Sequence, residues 1–233
     1  MQFLDADDLL APEKIAAQLA LAASLPSDDF ALCGRWSRFT DTPASATFPP
    51  ERLCTDADAV GWLVEKLAHH AMMHPAAWLV SRRLAERAGP WDESLSLDDD
   101  GEYFSRVVLA SSGVRFCASA VSFYRSSLPR SLSKSRSNRA WESALSSLEK
   151  TASRLCQRES SARTRAACAT AFQRFIFDAY PAAPAARSRA ADLVAAHGGS
   201  NLQPAGGARF QTLRRLFGWK LARRLQKILP AHR

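Results

Sequence analysis

The sequence predicts an α/β fold closed by an all-helical C-terminal region. Three observations support this. Up to about residue 130, short apolar runs of strand type alternate with amphipathic stretches of helical period. From Asn138 onward the chain turns Ala-rich, with helical periodicity throughout. Hydrophobic residues make up 47% of 233 positions, enough to bury a sizeable core in one ordinary domain with an appendage.

In chain order, "MQFL" reads as a short buried strand, followed by the acidic turn "DADDLLAP". "EKIAAQLALAAS" is a helix: Pro12 suits its first turn, and Ile15, Leu19 and Ala22 share the face expected to be buried. "FALCGRWSRF" (30–39) is a strand, and the Pro/Thr/Ser-rich stretch 40–50 a loop. "DADAVGWLVEKLAHH" (56–70) is a helix capped by Asp56 or Asp58, with His69 and His70 at its C-terminal end where the helix dipole accounts for them. "AAWLV" (76–80) is a short strand. Ser81 caps and Gly89 ends the helix after it. Four acids open the helix in "DDDGEYFSRVVLA", and 114–125 is a strand. The Ser/Arg-rich segment 126–137 is a loop, lying over a site or linking to the helices. Three Ala-rich helices, starting after Asn138, make up the helical region 134–197, 198–208 is a flexible linker, and 209–233 is a basic amphipathic helix.

The charge is uneven. The net +8 is carried entirely by the eight basic residues of the last segment, and no acid follows Asp192. That segment is expected either to lie on an anionic membrane surface or to dock its apolar face (Phe210, Leu213, Phe217, Leu221, Leu225, Ile228) on the body. Its basic residues are not interleaved with aromatics in a binding motif, so nucleic acid is not an expected partner. Five cysteines without CxxC spacing predict neither a disulfide framework nor a zinc site. With an acidic start and no run of apolar residues long enough to span a bilayer, they predict a cytoplasmic protein, at most peripheral on the inner face of the membrane.

Two acidic clusters carry the chemistry. Asp5, Asp7 and Asp8 repel one another unless a cation or hydrogen-bond donors sit among them, so a hard divalent cation and a solvated turn both stand as readings. A calcium EF-hand loop is excluded by Leu9 and Leu10, which take its fifth and sixth places. An Asp-x-Asp-x-Thr/Val start, as in haloacid dehalogenase-like phosphatases, is matched only in part because Leu9 holds the last position. In the second cluster, Asp98, Asp99, Asp100 and Glu102, one or two acids suffice for capping. Crowded carboxylates have raised pKa values, which suits a general base. His74 is expected as a partly buried structural histidine beside the site, and Trp91 as either a core residue or a sugar-stacking ring.

Taken in order, "FLDADDLLAPEKIAAQL", "AWLVSRRLAERAGPWDESLSLDDDGEYFSRV" and "FYRSSLPRSLS" resemble the family 2 glycosyltransferases of GT-A fold, over residues 1–133. The resemblance implies a partial GT-A domain with a Rossmann-like mixed sheet. It implies Asp5 and Asp7 as the Asp-x-Asp that holds Mg²⁺ or Mn²⁺ against the donor diphosphate, with Asp8 as a third acid. It also implies a sugar-binding region at Trp91, Asp92 and Glu93, a catalytic base at Asp100, and Asp99 and Glu102 as its acidic neighbours. The reaction implied is inverting transfer from a nucleotide-sugar donor to a glycan or lipid-linked acceptor, in cell-surface polysaccharide synthesis. Such proteins carry nucleotide-binding strands ahead of the Asp-x-Asp, whereas here the motif begins at residue 5. The expectation is therefore a truncated member with open sheet edges and uncovered apolar faces, binding nucleotide sugar weakly. The alternative is a non-catalytic basic chain that binds a membrane or a partner and whose acids are caps.

Overall fold

A computed structural model describes residues 1–126 and 135–228, with side chains described to 226. The fold is α/β: a four-stranded mixed sheet with helices packed around it. In chain order the elements are β1 (Leu9–Leu10), α1 (Lys14–Ser24), β2 (Ala31–Phe39), α2 (Ala59–His69), β3 (Trp78–Leu79), α3 (Arg82–Ala88), α4 (Asp99–Ala110), β4 (Val114–Arg125), α5 (Asn138–Arg158), α6 (Ala162–Ala179), α7 (Pro184–Ala196) and α8 (Ala208–Ile228). The sheet order is β1-β4-β2-β3. The long strands β2 and β4 run parallel, and the two-residue strands β1 and β3 pair antiparallel at the edges.

The β2–β4 ladder slips at its middle: Gly34 pairs with Cys117 but Arg35 pairs with Val121, so residues 118–120 bulge out of register. Glycine is required there, since a Cβ on residue 34 would stand 2.4 Å from the Ala120 carbonyl oxygen. Local signals explain much of the rest. Asp58 Oδ1 accepts from Gly61 N–H at 2.8 Å and caps α2. Ser81 Oγ accepts from Leu84 N–H at 3.1 Å and caps α3, which Gly89 ends with a φ of +80°.

Three expectations are corrected. "MQFL" forms no regular strand; it runs beside β3, where Val80 N–H donates to the Met1 carbonyl at 3.1 Å, and the first strand is Leu9–Leu10 instead. The first two residues of the expected strand 76–80 belong to a 3-10 turn over Pro75–Ala77, leaving only Trp78–Leu79 in the sheet. Helix α1 turns the other face inward: Lys14 and Gln18 are buried, while Ile15 and Leu19 are exposed. The reason is the backbone beneath it. Lys14 Nζ donates to the Trp78 carbonyl at 3.1 Å, and Gln18 Nε2 to Ala77 and Leu32 at 3.0 and 3.4 Å. Burial pushes the Lys14 amine down to about 7.

The helical region is continuous with the sheet domain. A single hydrophobic core runs from Trp62, Trp78 and Phe104 through Trp141 and Leu155 to Phe172 and Val194. The linker 198–208 is tied down: Gln211 donates to the Gly206 carbonyl at 3.2 Å and Arg223 to Ala205 at 3.2 Å. The last helix is broken at Gly218, whose φ of +76° lies outside the helical region. It docks through Phe210, Ala222 and Trp219, whose ring meets Phe177 and Tyr180 edge-on at 4.9 and 5.0 Å. Leu216, Phe217 and Leu221 remain exposed. No helix among the described residues is long and apolar enough to cross a membrane. Most of the loop expected at 126–137, with it the last part of the resembling sequence, lies outside the described residues.

Candidate active site

The first acidic turn is built on a pinned segment. Phe3 inserts its ring edge-on among Trp91, Tyr103 and Phe104, at 5.9, 5.4 and 5.4 Å. A turn then closes from Asp8 N–H to the Asp5 carbonyl at 3.1 Å. This turn separates the three acids. Asp8 points inward: its Oδ2 meets His74 Nε2 at 2.7 Å and its Oδ1 accepts from Arg125 N–H at 2.7 Å. His74 Nδ1 stands 3.4 Å from Ser122 Oγ. Asp8, His74 and Ser122 are all buried, so this Asp–His–Ser row pins the acidic turn to β4 and presents no hydroxyl to a substrate. Asp5 and Asp7 stay exposed, as a pair and not a triad.

Of the second cluster, Asp99 acts on the first through its charge at Asp5. Partial burial, then the charge of Asp8, with Asp7 and Asp99 adding, hold the Asp5 carboxyl above its ordinary range against the opposing pull of His74. Asp98 takes the left-handed conformation at the start of α4 (φ +60°) and caps no amide. Its Oδ2 accepts from Ser147 Oγ at 2.7 Å instead, and its carboxylate lies over residue 101, where any Cβ would clash at 2.2 Å. Asp100, two residues on, lines a cavity of about 310 Å³ between α2, α4, α5 and α6, within the size range of small-molecule sites. Its carboxyl is pushed up to about 6, first by burial and then by Asp98, against the opposing charge of Lys66. Lys66 Nζ reaches the start of the same helix, donating to the Gly101 carbonyl at 3.0 Å and to Ser105 Oγ at 3.3 Å.

Of the other residues singled out in the sequence, Glu102, Asp92 and Trp91 are held in place by protein partners. Glu102 is fully buried, with Arg106 Nε at 3.0 and 3.1 Å from its two oxygens and Arg154 on Oε1. Asp92 pairs with Lys150 and accepts from Ser94 N–H at 3.1 Å; Lys150 first, then Ser94, hold its carboxyl down at about 2. Trp91 stacks flat on Tyr103 at 4.3 Å and borders a second cleft with Arg82 and Gly89. Glu93 is exposed. The structure therefore brings Asp5, Asp7 and Asp99 to one region and Asp100 to the adjoining cavity. Asp8, His74, Trp91, Asp92 and Glu102 form its frame.

The cavity also holds Lys66, His70 and Arg174, basic groups that motif reading left out. Lys66 sits in the last turn of an ordinary amphipathic helix and Arg174 in a helix without a motif, so neither carries a local signal. Trp141, Leu148 and Phe175 supply an apolar wall, and burial favours the neutral form of His70, so the cavity combines one elevated acid, the two cations Lys66 and Arg174, and aromatic surface. No protein-family model matches this chain, nor does any curated protein or solved structure.

Proposed function

We propose that this chain is a sugar transferase of the family 2 glycosyltransferase type, with a partial GT-A domain, in which Asp100 removes the proton from an acceptor hydroxyl. The observation that carries the reading is the Asp100 carboxyl. With a pKa of about 6 it is largely ionised near neutrality yet basic enough to accept a proton, and it lines a cavity of ligand size. The field of Asp99 at Asp5 supports a donor site next to that cavity.

The residues fit a hard divalent cation. Asp5 and Asp7 offer two exposed carboxylates, and Mg²⁺ is commonly held by one or two carboxylates together with substrate phosphates. The raised Asp5 pKa reflects partial burial first and then the charge of Asp8, with Asp7 and Asp99 adding, and a cation would offset that charge. When bound there, Mg²⁺ or Mn²⁺ would neutralise the departing nucleoside diphosphate. Asp100 orients and deprotonates the acceptor hydroxyl, Lys66 tempers the charge around it, and attack from the cavity side inverts the anomeric carbon. The cavity's aromatic wall and cations suit a glycan or lipid-linked acceptor.

Calorimetry with UDP or GDP tests this. Nucleotide binding is expected to require Mn²⁺, and Asp7→Asn is expected to weaken it at least about tenfold, some 1.4 kcal/mol. If neither nucleotide binds with Mn²⁺ present, the reading fails.

A second reading, binding of an anionic membrane surface, has its own observation. Leu216, Phe217 and Leu221 are exposed beside Arg215, Lys220 and Arg224. An apolar patch rimmed by cations suits the boundary between headgroups and acyl chains. In vesicle flotation, Phe217→Glu with Leu216→Glu is expected to abolish recovery with phosphatidylserine vesicles. Unchanged flotation would sink the membrane reading.

A further inference from the structure

The expectation that the cysteines bind no metal rests on their spacing along the chain, and the fold removes that basis. Cys156 on α5, Cys168 on α6 and His197 at the end of α7 converge, with one sulfur or nitrogen atom from each lying within 4.8 Å of the others. Among the described residues this is the one group of three His, Cys, Asp or Glu side chains brought so close. We propose that these three side chains form a site for a thiophilic tetrahedral cation, Zn²⁺ first, that staples α5, α6 and α7 together.

The distances carry the argument. The two sulfurs stand 3.9 Å apart. Two thiolates on a tetrahedral zinc, at about 2.3 Å each, lie about 3.8 Å from one another, so the pair is already spaced for a shared metal. It is too far apart for a disulfide bond, which needs about 2.04 Å. The third group is the one a disulfide would not need. The His197 ring is positioned by stacking on Phe172 at 5.7 Å, and neither of its nitrogens makes a hydrogen bond among the described residues. Cys168 is fully buried, while Cys156 and His197 are half-buried, leaving a path for the ion and a fourth position for water. Cys156, Cys168 and His197 do not line the Asp100 cavity, although α5 and α6 border it, and the metal site does not depend on the transferase reading.

Titration of the reduced, metal-free full-length protein with Co²⁺, with Zn²⁺ as competitor, tests the site. One equivalent is expected to bind and give a thiolate-to-cobalt charge-transfer band, which Zn²⁺ abolishes. Cys168→Ser and Cys156→Ser are expected to lose the band. His197→Gln, at a half-exposed helix end where the fold is not at risk, is expected to keep a thiolate band while binding more than about a hundredfold more weakly, beyond the cost of losing an outer-shell partner. Asp7→Asn, which alters only the oxygen-rich turn, is expected to leave the band unchanged. Failure of the reduced wild type to bind cobalt, formation of a Cys156–Cys168 disulfide in its place, or a band indifferent to all three ligand variants would overturn the proposal.

Discussion

Replacing Asp100 by asparagine is expected to lower sugar transfer by about 10²–10⁴-fold, the usual contribution of a positioned general base, with little change in KM. In the wild type, kcat/KM is expected to rise with pH through about 6, because only the ionised carboxylate can accept the hydroxyl proton. The same substitution is expected to stabilise the fold. A carboxyl whose pKa is raised from 3.8 to about 6 keeps its proton in the folded chain over a pH range where the unfolded chain has lost it. Stability therefore falls as pH rises through that window, and the penalty is complete above 6. Asparagine removes the penalty at pH 7, worth on the order of 1 kcal/mol once solvent screening is allowed for, or about 2–4 °C in Tm. Below about pH 4 the two proteins should converge. A variant that is less active and no more stable at pH 7 would place Asp100 in the frame of the fold, not at the chemistry.

Glu102 is expected to behave in the opposite way. It is an acid of the same motif, yet it lies buried between Arg106 and Arg154. Arg106 also donates to the Pro90 carbonyl at 2.7 Å, so this one carboxylate joins α4 to the loop after α3 and to α5. Removing one partner of a buried ion pair leaves uncompensated charge and costs about 3–5 kcal/mol. Glu102→Ala is expected to lower Tm by about 10 °C in thermal denaturation, given about 2–4 °C per kcal/mol for a chain of this size. If its Tm stays near wild type while transfer falls, Glu102 would be a substrate ligand after all.

These two residues show how much of the site the sequence made legible. Its acids were recognisable as a group, because four carboxylates at a helix start exceed what capping needs. Their division of labour was not, because partners far away along the chain settle it. Glu102 is claimed by an arginine 52 residues away. Asp8 is claimed by His74, 66 residues away. Lys66 and Arg174 reach the cavity from helices that read as ordinary. The same holds for Cys156, Cys168 and His197, whose spacing along the chain conceals their convergence.

By itself the sequence determined the α/β order, the helical ending, the span of β4, the cap at Ser81 and the stop at Gly89, and it narrowed the cap of α2 to Asp56 or Asp58. Each of these depends on propensity, periodicity or a hydrogen bond within a few residues. Tertiary structure alone decided which face of α1 is buried, because carbonyls of β2 and of the segment through residues 77–78 need donors more than Ile15 and Leu19 need cover. It also decided the bulge opposite Gly34, the break at Gly218 and the separation of the acids. "DADD" remains the feature most visible in the chain. Packing turned one of its aspartates inward to hold the turn and left two outside, where a cation could reach them.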